Sequence, residues 1–150
     1  MNIFMTGSGG YIGRGVAAKL LQEDHTVIDF CRSMRRPYAS ENRIYVYGEL
    51  YDIPRLLDVF QTYKVDAIIH IAAQSSPSVS LEVPLQTIHT NIDGTASLLE
   101  AARLSGIRRV VLYSSDAAYG EHPHLADHAA VPPHPLRCDK GCGGNAGAGL

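Results

Sequence analysis

Short runs of consecutive apolar residues alternate with helical spacings along the first 120 residues of the chain. The apolar runs predict buried strands at residues 2–6, 26–31, 43–47, 65–72 and 109–114. Between them, apolar positions three and four residues apart predict helices at 11–24, after Asp52, and from about Leu85 to Ala102. Continuous apolar strands separated by helices are typical of a parallel sheet that is covered on both faces. We therefore expect an α/β fold with a doubly wound parallel sheet.

The composition changes sharply near Gly120. From Glu121 onward the chain has no Phe, Tyr or Trp, and its only large aliphatic residues are Leu125, Val131, Leu136 and Leu150. Such a segment adds little to a hydrophobic core. We therefore expect residues 1–120 to form one folded body and residues 121–150 to form an irregular tail rich in Pro, His and Gly.

Charge and hydropathy argue against several classes of protein. The 150 residues carry a formal net charge of −2 with dispersed Lys and Arg, which argues against binding of nucleic acid. No apolar run approaches the roughly 18 residues of a membrane span, and the first residues lack the basic flank of a signal peptide. The 3 cysteines are too few for a disulfide framework. We expect a cytoplasmic protein without nucleic-acid or membrane partners.

Glycines cluster in the turn between the first predicted strand and the first predicted helix, where Gly7, Gly10 and Gly13 follow one another at intervals of three. Unpaired N–H groups and the helix dipole make such a turn an anion site, and glycine lets a pyrophosphate approach the backbone. The turn therefore predicts a dinucleotide site. The alternative is that these glycines only let the strand and the helix pack closely.

Five motifs follow one another along the folded body. They are Thr6-Gly7-Ser8-Gly9-Gly10-Tyr11-Ile12-Gly13, Gly48-Glu49-Leu50, His70-Ile71-Ala72-Ala73, Asn91-Ile92-Asp93-Gly94-Thr95 with Leu98-Leu99-Glu100-Ala101-Ala102, and Ser114-Ser115-Asp116-Ala117-Ala118-Tyr119-Gly120. Together they resemble the amino-terminal half of the extended short-chain dehydrogenase/reductases, the NAD-dependent epimerase/dehydratase group of UDP-glucose 4-epimerase-like enzymes. The resemblance implies a Rossmann fold, an NAD or NADP cofactor, a nucleotide-sugar substrate in the full-length form, and a homodimer.

The resemblance also implies roles for individual residues. Cofactor-binding positions would be Gly7, Gly10, Tyr11, Ile12 and Gly13 at the pyrophosphate, Glu49 and Leu50 beside adenine, and Ala72 and Ala73 near the ribose. Ser115 matches the catalytic serine or threonine, whose hydroxyl would hydrogen-bond a sugar oxygen. Without the resemblance, Ser115 would be interpreted as a loop hydroxyl that caps backbone groups. His70 is expected to be structural and held by hydrogen bonds near the cofactor loop.

The second predicted strand departs from the family pattern, because Cys31 stands where the family has an acidic residue that binds both ribose hydroxyls. Asp29 lies two residues too early for this role. An uncharged residue followed by Arg32 favours a 2′-phosphate and hence NADP. The alternative is that Arg32 and Arg35 belong to a solvated loop. Ala117 stands where the sugar dehydratases have a glutamate, so the sequence favours an epimerase or a reductase over a dehydratase.

No Tyr-x-x-x-Lys motif follows Ser115, although the family uses this pair for proton transfer. The last tyrosine is Tyr119, and the residue four before Lys140 is Leu136. The family's carboxyl-terminal substrate domain is absent from the 150 residues. We therefore expect a truncated cofactor-binding half with little or no turnover. The alternatives are a catalytically silent NAD(P)-binding module and a related NADP-dependent reductase.

The tail offers an explanation for the missing pair. Codons for residues 136–149 can be chosen so that reading one base later gives Tyr-x-x-x-Lys within an Ala-rich sequence that favours a helix. We therefore expect a frameshift after about Pro135. A metal site built from the His and Cys residues of the tail is a weaker alternative, because their spacing matches no zinc motif.

Overall fold

A computed structural model of the protein describes residues 1–32, 41–115 and 118. The strands are β1 (Asn2–Thr6), β2 (Thr26–Cys31), β3 (Arg43–Tyr47), β4 (Ala67–His70) and β5 (Val110–Leu112). The helices are α1 (Tyr11–Gln22), α2 (Ile53–Tyr63), α3 (Pro77–Glu82), α4 (Pro84–Ile88) and α5 (Gly94–Leu104). A single π turn (His89–Asp93) joins α4 to α5.

These strands form one parallel sheet in the order β3-β2-β1-β4-β5. The chain moves outward from β1 to β3 and then crosses to the other side of β1 with β4. In open α/β sheets, such a reversal opens a crevice at the carboxyl ends of the two strands, and ligands bind there. Thr6 of β1 and His70 of β4 are register partners at this point. The predicted doubly wound parallel sheet is confirmed.

Apolar side chains cover the sheet on both faces. On one face the ring of Phe4 packs against those of Phe30 and Phe60, with centroid separations of 5.1 and 4.9 Å. On the other face, Met5 packs with Ala17 of α1. Successive strand residues point to opposite faces, so a strand buried on both faces reads as a continuous apolar run.

Helix α2 begins where the sequence predicts, directly after Asp52. The Asp52 carboxylate accepts a hydrogen bond of 3.0 Å from the backbone N–H of Arg55, which caps the first turn. Pro54 follows in that turn, where its missing N–H costs little. The helix buries Leu56 and Phe60 against the sheet, as their spacing predicts.

The helix predicted from about Leu85 to Ala102 is wrong as one regular element. The structure divides it into α4, the π turn and α5, and places the separate helix α3 before it. A π turn holds more residues than an α-helical turn and therefore changes which positions face inward. Asn91 and Thr95 are both buried as a result, with 3% and 8% of their surface exposed.

The strand predicted at residues 65–72 is shorter at both ends in the structure, where β4 covers Ala67–His70. At one end, the N–H of Val65 donates to the carbonyl of Phe60 and so belongs to the end of α2. At the other end, the N–H of Ala72 donates to the hydroxyl of Thr6. The other predicted strands and helices lie within two residues of the observed bounds.

Several predictions concern residues outside the described part of the chain. They are the irregular tail at 121–150, the frameshift after about Pro135, the alternative metal site in the tail, and the loop residues that follow Arg32. These remain predictions.

Candidate functional site

The glycine turn packs against the end of β4 through backbone atoms alone. Gly7 has a φ of +75°, and a Cβ there would lie 2.6 Å from the backbone nitrogen of Ala72. A Cβ at Gly13 would lie 2.0 Å from the carbonyl oxygen of Gly7. No side chain fits at either contact, and a φ of this sign is one that glycine adopts without strain. Gly7 and Gly13 therefore hold β1, α1 and β4 together at the crevice.

Helix α1 presents an uncapped amino terminus at this crevice. Its N-cap residue is Gly10, which supplies no side-chain hydrogen bond, and its first turn contains no acidic residue. The side chain of Tyr11 is 98% exposed and that of Ile12 is 54% exposed. A Cβ at Gly9 would meet no atom within 4 Å, so the space above the turn is open. Free N–H groups at an open helix terminus suit a pyrophosphate.

Arg14 adds a positive charge to the turn that the sequence prediction did not include. Its Nε donates a hydrogen bond of 3.1 Å to the carbonyl of Gly9, which holds the guanidinium over the glycine loop. Arg14 directly follows Gly13 on α1, so a basic residue just after the last glycine was the available sequence signal. The electrostatic environment of the turn is therefore favourable to an anion.

At the end of β4, the predicted cofactor-binding residues Ala72 and Ala73 are half-buried beside the glycine turn. Below them, the ring of His70 is buried and bonded on both nitrogens, to Thr6 at 2.7 Å and to Thr95 at 3.1 Å. The predicted hydrogen bonds of His70 are confirmed by these contacts, and its structural role stays a prediction.

The positions predicted to border adenine lie at the ends of β2 and β3. The N–H of Gly48 donates to the carbonyl of Cys31 at 3.2 Å, which places Glu49 next to the end of β2. A Cβ at Gly48 would lie 2.2 Å from the ring of Phe30, so a side chain at this position would displace the buried ring. Leu50 then packs against α5. The positions predicted to border adenine, Glu49 and Leu50, are thus half-buried at the same edge of the sheet as the glycine turn.

The acidic residue of β2 is engaged within the fold. Asp29 is fully buried, and one of its carboxylate oxygens lies 2.5 Å from Nε of Arg43 at the start of β3. The other oxygen has no hydrogen-bond partner. Cys31 ends the strand, and the exposed Arg32 follows it. The pairing of Asp29 with Arg43, which joins neighbouring strands, was not predicted from the sequence.

Ser115 lies in the loop after β5, at the same edge of the sheet. The N–H of Tyr113 donates to the carbonyl of His70 at 3.0 Å, so the chain still runs beside β4 at this point. Ser115 is half-buried, and its carbonyl accepts the N–H of Ala118 at 3.1 Å. Its predicted catalytic role remains a prediction.

Within residues 1–32, 41–115 and 118, no cluster of three His, Cys, Asp or Glu side chains is arranged to hold a metal ion. In the same part of the chain, no helix is both long and apolar enough to cross a membrane.

The sequence profile of the NAD dependent epimerase/dehydratase family matches residues 3–138. The chain belongs to this family. The match confirms the resemblance given by the five motifs, and with it the Rossmann arrangement of the sheet. The family is NAD-dependent by description, in agreement with the dinucleotide site predicted at the glycine turn.

Individual relatives resemble this chain in sequence. The UDP-glucose 4-epimerase of Lacticaseibacillus casei is 35% identical over 123 residues, which are 81% of this chain and 37% of that protein. A UDP-glucose 4-epimerase sequence of Klebsiella pneumoniae is 28% identical over 134 residues, which are 83% of this chain and 96% of that sequence.

Solved structures of UDP-glucose 4-epimerases also resemble the chain. The enzyme of Brucella ovis in complex with NAD has a TM-score of 0.86 and 29% identity, over 97% of this chain and 46% of that chain. The Thermus thermophilus enzyme in complex with NAD has a TM-score of 0.88 and 26% identity, over 97% of this chain and 49% of that chain. This chain therefore spans about half the length of these structures and 37% of the Lacticaseibacillus relative.

Proposed function

We propose that this chain is the dinucleotide-binding half of a nucleotide-sugar epimerase, and that it binds NAD(P) without converting a nucleotide sugar by itself. The observation that carries the proposal is the open, uncapped start of α1 over a turn that only Gly7 and Gly13 can form. The turn lies at the reversal of strand order between β1 and β4, where ligands of open α/β sheets bind. The family match supports the same ligand.

The groups in the crevice fit a dinucleotide. Backbone N–H groups at the start of α1 and the guanidinium of Arg14 would bind the pyrophosphate, while Ala72 would lie beside a ribose. When bound, the nicotinamide accepts and returns a hydride at a sugar carbon. The Ser115 hydroxyl, at the same edge of the sheet, would hold the sugar oxygen by a hydrogen bond.

Conversion of a nucleotide sugar would be slow because the proton-transferring residues are absent from the 150 residues. No Tyr-x-x-x-Lys motif follows Ser115. A positioned acid or base typically contributes about 10²–10⁴-fold to a rate. The chain would therefore retain the affinity for the dinucleotide and lose most of the chemistry.

The test is to titrate the 150-residue chain with NAD⁺ and NADP⁺ by calorimetry and, separately, to follow conversion of UDP-glucose to its 4-epimer. We expect dinucleotide binding without measurable conversion. Gly13→Val, which displaces the turn, is expected to abolish binding. If neither dinucleotide binds the folded chain, the proposed function is wrong. Conversion of UDP-glucose at the rate of an ordinary epimerase would refute the proposal that the chain is catalytically inactive.

We further propose a preference for NADP over NAD. The buried carboxylate of Asp29 is paired with Arg43 and cannot reach a ribose, and Cys31 supplies no charge at the end of β2. The exposed Arg32 follows directly and would pair with a 2′-phosphate.

Two substitutions test this preference. Arg32→Gln is expected to weaken NADP⁺ binding by roughly tenfold and leave NAD⁺ binding unchanged, since only NADP⁺ carries the 2′-phosphate. Cys31→Asp is expected to favour NAD⁺, because a carboxylate there would accept the ribose hydroxyls. Arg108→Gln is the matched control, since Arg108 is exposed before β5 at the opposite edge of the sheet. Equal losses for both dinucleotides in Arg32→Gln would contradict the preference.

The homodimer implied by the family resemblance stays a proposal. Helices α3 and α4 expose apolar side chains, with Leu81 66% and Leu85 79% exposed. Removing such surfaces from water favours association. Sedimentation of the wild-type chain and of a Leu85→Gln variant tests it: a dimer that Leu85→Gln dissociates would support the proposal, and a wild-type monomer at high concentration would contradict it.

A further inference from the structure

A buried chain of hydrogen bonds runs beneath the crevice from β1 to α5. The N–H of Ala72 lies 3.2 Å from the hydroxyl oxygen of Thr6, which lies 2.7 Å from Nδ1 of His70. On the other side of the ring, Nε2 lies 3.1 Å from the hydroxyl oxygen of Thr95, and this oxygen lies 2.6 Å from the carbonyl oxygen of Asn91. Thr6, His70, Asn91 and Thr95 are each less than 10% exposed.

The partners at the two ends determine where the hydrogen atoms lie. A carbonyl only accepts hydrogen bonds, so the Thr95 hydroxyl donates its single hydrogen to the carbonyl of Asn91. The Thr95 oxygen must then accept from the histidine ring, so Nε2 of His70 carries a hydrogen. Ala72 donates its N–H to the Thr6 oxygen, and the Thr6 hydroxyl hydrogen is available for Nδ1 of a neutral ring. Every donor is used when His70 is neutral and protonated on Nε2.

The same set of residues fixes the loop after β4. Asn91 accepts the N–H of Gln74 at 2.7 Å through its side-chain oxygen and donates to the carbonyl of Gln74 at 2.9 Å. The N–H of Ala72 is held by Thr6, and the backbone of Ala72 touches Gly7. The π turn brings Asn91 and Thr95 inward together, one to the loop and the other to the histidine. Residues 72–74 are thus bound at two backbone positions by one connected network.

We propose that His70, as the neutral tautomer protonated on Nε2, and Thr95 are positioning residues that hold residues 72–74 in place as the β4 wall of the dinucleotide crevice. Neither side chain touches the ligand. They act through Thr6 and Asn91, whose hydrogen bonds set the backbone of Ala72 and Gln74. The part of the inference that concerns the ligand rests on the proposed function, whereas the tautomer and the rigidity of the loop do not.

The tautomer is tested first, in the 150-residue chain without ligand. Long-range ¹H–¹⁵N correlation of the imidazole distinguishes a ring protonated on Nε2 from one protonated on Nδ1. We expect the Nε2–H form for His70 at neutral pH. Observation of the Nδ1–H form, or of the doubly protonated ring, would overturn the donor order. This measurement needs no substitution and therefore no variant that has to fold.

The positioning role is tested by substitution of Thr95. Thr95→Val keeps the shape but removes the acceptor for His70, and Thr95→Ser keeps the hydroxyl. We expect amide hydrogen exchange at Ala72 and Gln74 to rise by roughly tenfold in Thr95→Val, because the loss of both hydrogen bonds of the Thr95 hydroxyl loosens the loop. Thr95→Ser is expected to restore slow exchange. Thr62→Val, at an exposed position of α2, is the matched control and should leave exchange unchanged.

Titration with the dinucleotide then separates the two proposals. We expect Thr95→Val to bind roughly tenfold more weakly than the wild type and Thr95→Ser to recover the affinity. Unchanged exchange and unchanged affinity in a folded Thr95→Val would overturn the positioning role. If the wild type binds no dinucleotide, the proposed function fails, and the exchange data alone decide whether His70 and Thr95 hold the loop.

Discussion

The contact between Gly13 and Gly7 gives the sharpest test of the crevice. A Cβ at Gly13 would lie 2.0 Å from the carbonyl oxygen of Gly7, whereas a Cβ at Gly15, two residues further along α1, would meet no atom within 4 Å. Gly13→Ala and Gly15→Ala make the same chemical change in the same helix. They should nevertheless change the free energy of unfolding in opposite directions.

The expected magnitudes follow from these distances. Alanine is favoured over glycine inside a helix by about 0.5–1 kcal/mol, and Gly15→Ala should stabilise the protein by that amount. Real Cβ atoms stay beyond 3.0 Å of such neighbours, so Gly13→Ala must move the turn by about 1 Å. Overpacking of this kind costs about 1–3 kcal/mol. Since the helix preference enters both variants, the difference between them measures mainly the clash and should be about 1–3 kcal/mol.

Urea unfolding followed by circular dichroism measures both changes, and calorimetric titration with the dinucleotide measures the effect on the crevice. We expect Gly13→Ala to weaken dinucleotide binding because the displaced turn moves the N–H groups of α1, and Gly15→Ala to leave binding unchanged. Equal stability of Gly13→Ala and Gly15→Ala would refute the close packing of Gly13 on Gly7, and with it the derived geometry of the anion site.

Three further predictions concern other parts of the chain. Arg43→Met should destabilise the protein by about 3–5 kcal/mol in urea unfolding, because it leaves the fully buried Asp29 carboxylate without its cation, whereas Arg43→Met combined with Asp29→Leu should be much closer to neutral. The Arg103 hydrogen bond lowers the pKa of Glu100, so NMR titration of Arg103→Gln should return this pKa toward its ordinary value. The stability that the pair contributes is complete above the ordinary glutamate pKa and is lost as pH falls through the lowered one. The nucleotide sequence should reveal a gained or lost base near the codon for Pro135; a shifted frame that stops at once would contradict this prediction.

Much of the fold follows from local patterns in the sequence. Strands β1 and β2 are buried on both faces and consist mostly of apolar residues, so their runs were visible without any partner strand. Asp52 and Pro54 likewise mark the start of α2 through contacts within a few residues. The spacing of Gly7, Gly10 and Gly13 predicted the anion site, because the turn from a buried strand into a helix imposes its own backbone geometry.

The arrangement of polar groups required the tertiary structure. Asp29 lies on one strand and Arg43 on the next, and only the register between these strands shows that the carboxylate is already paired. The spacing of apolar residues did not predict the π turn, because such a turn changes in mid-helix which positions face inward. The proposed position of the hydrogen on the His70 ring depends on hydrogen bonds that involve β1, the π turn and α5.

The sequence by itself thus determined the class of fold, the position of the glycine turn and the family. These depend on apolar periodicity and on backbone conformation, and both are determined by residues close together in the sequence. Only the tertiary structure decided which glycine packs against which backbone, which acid is paired with an arginine and which hydroxyls the two nitrogens of His70 contact. Contacts between residues as far apart as Thr6 and His70 depend on strand order and register, which no local pattern encodes.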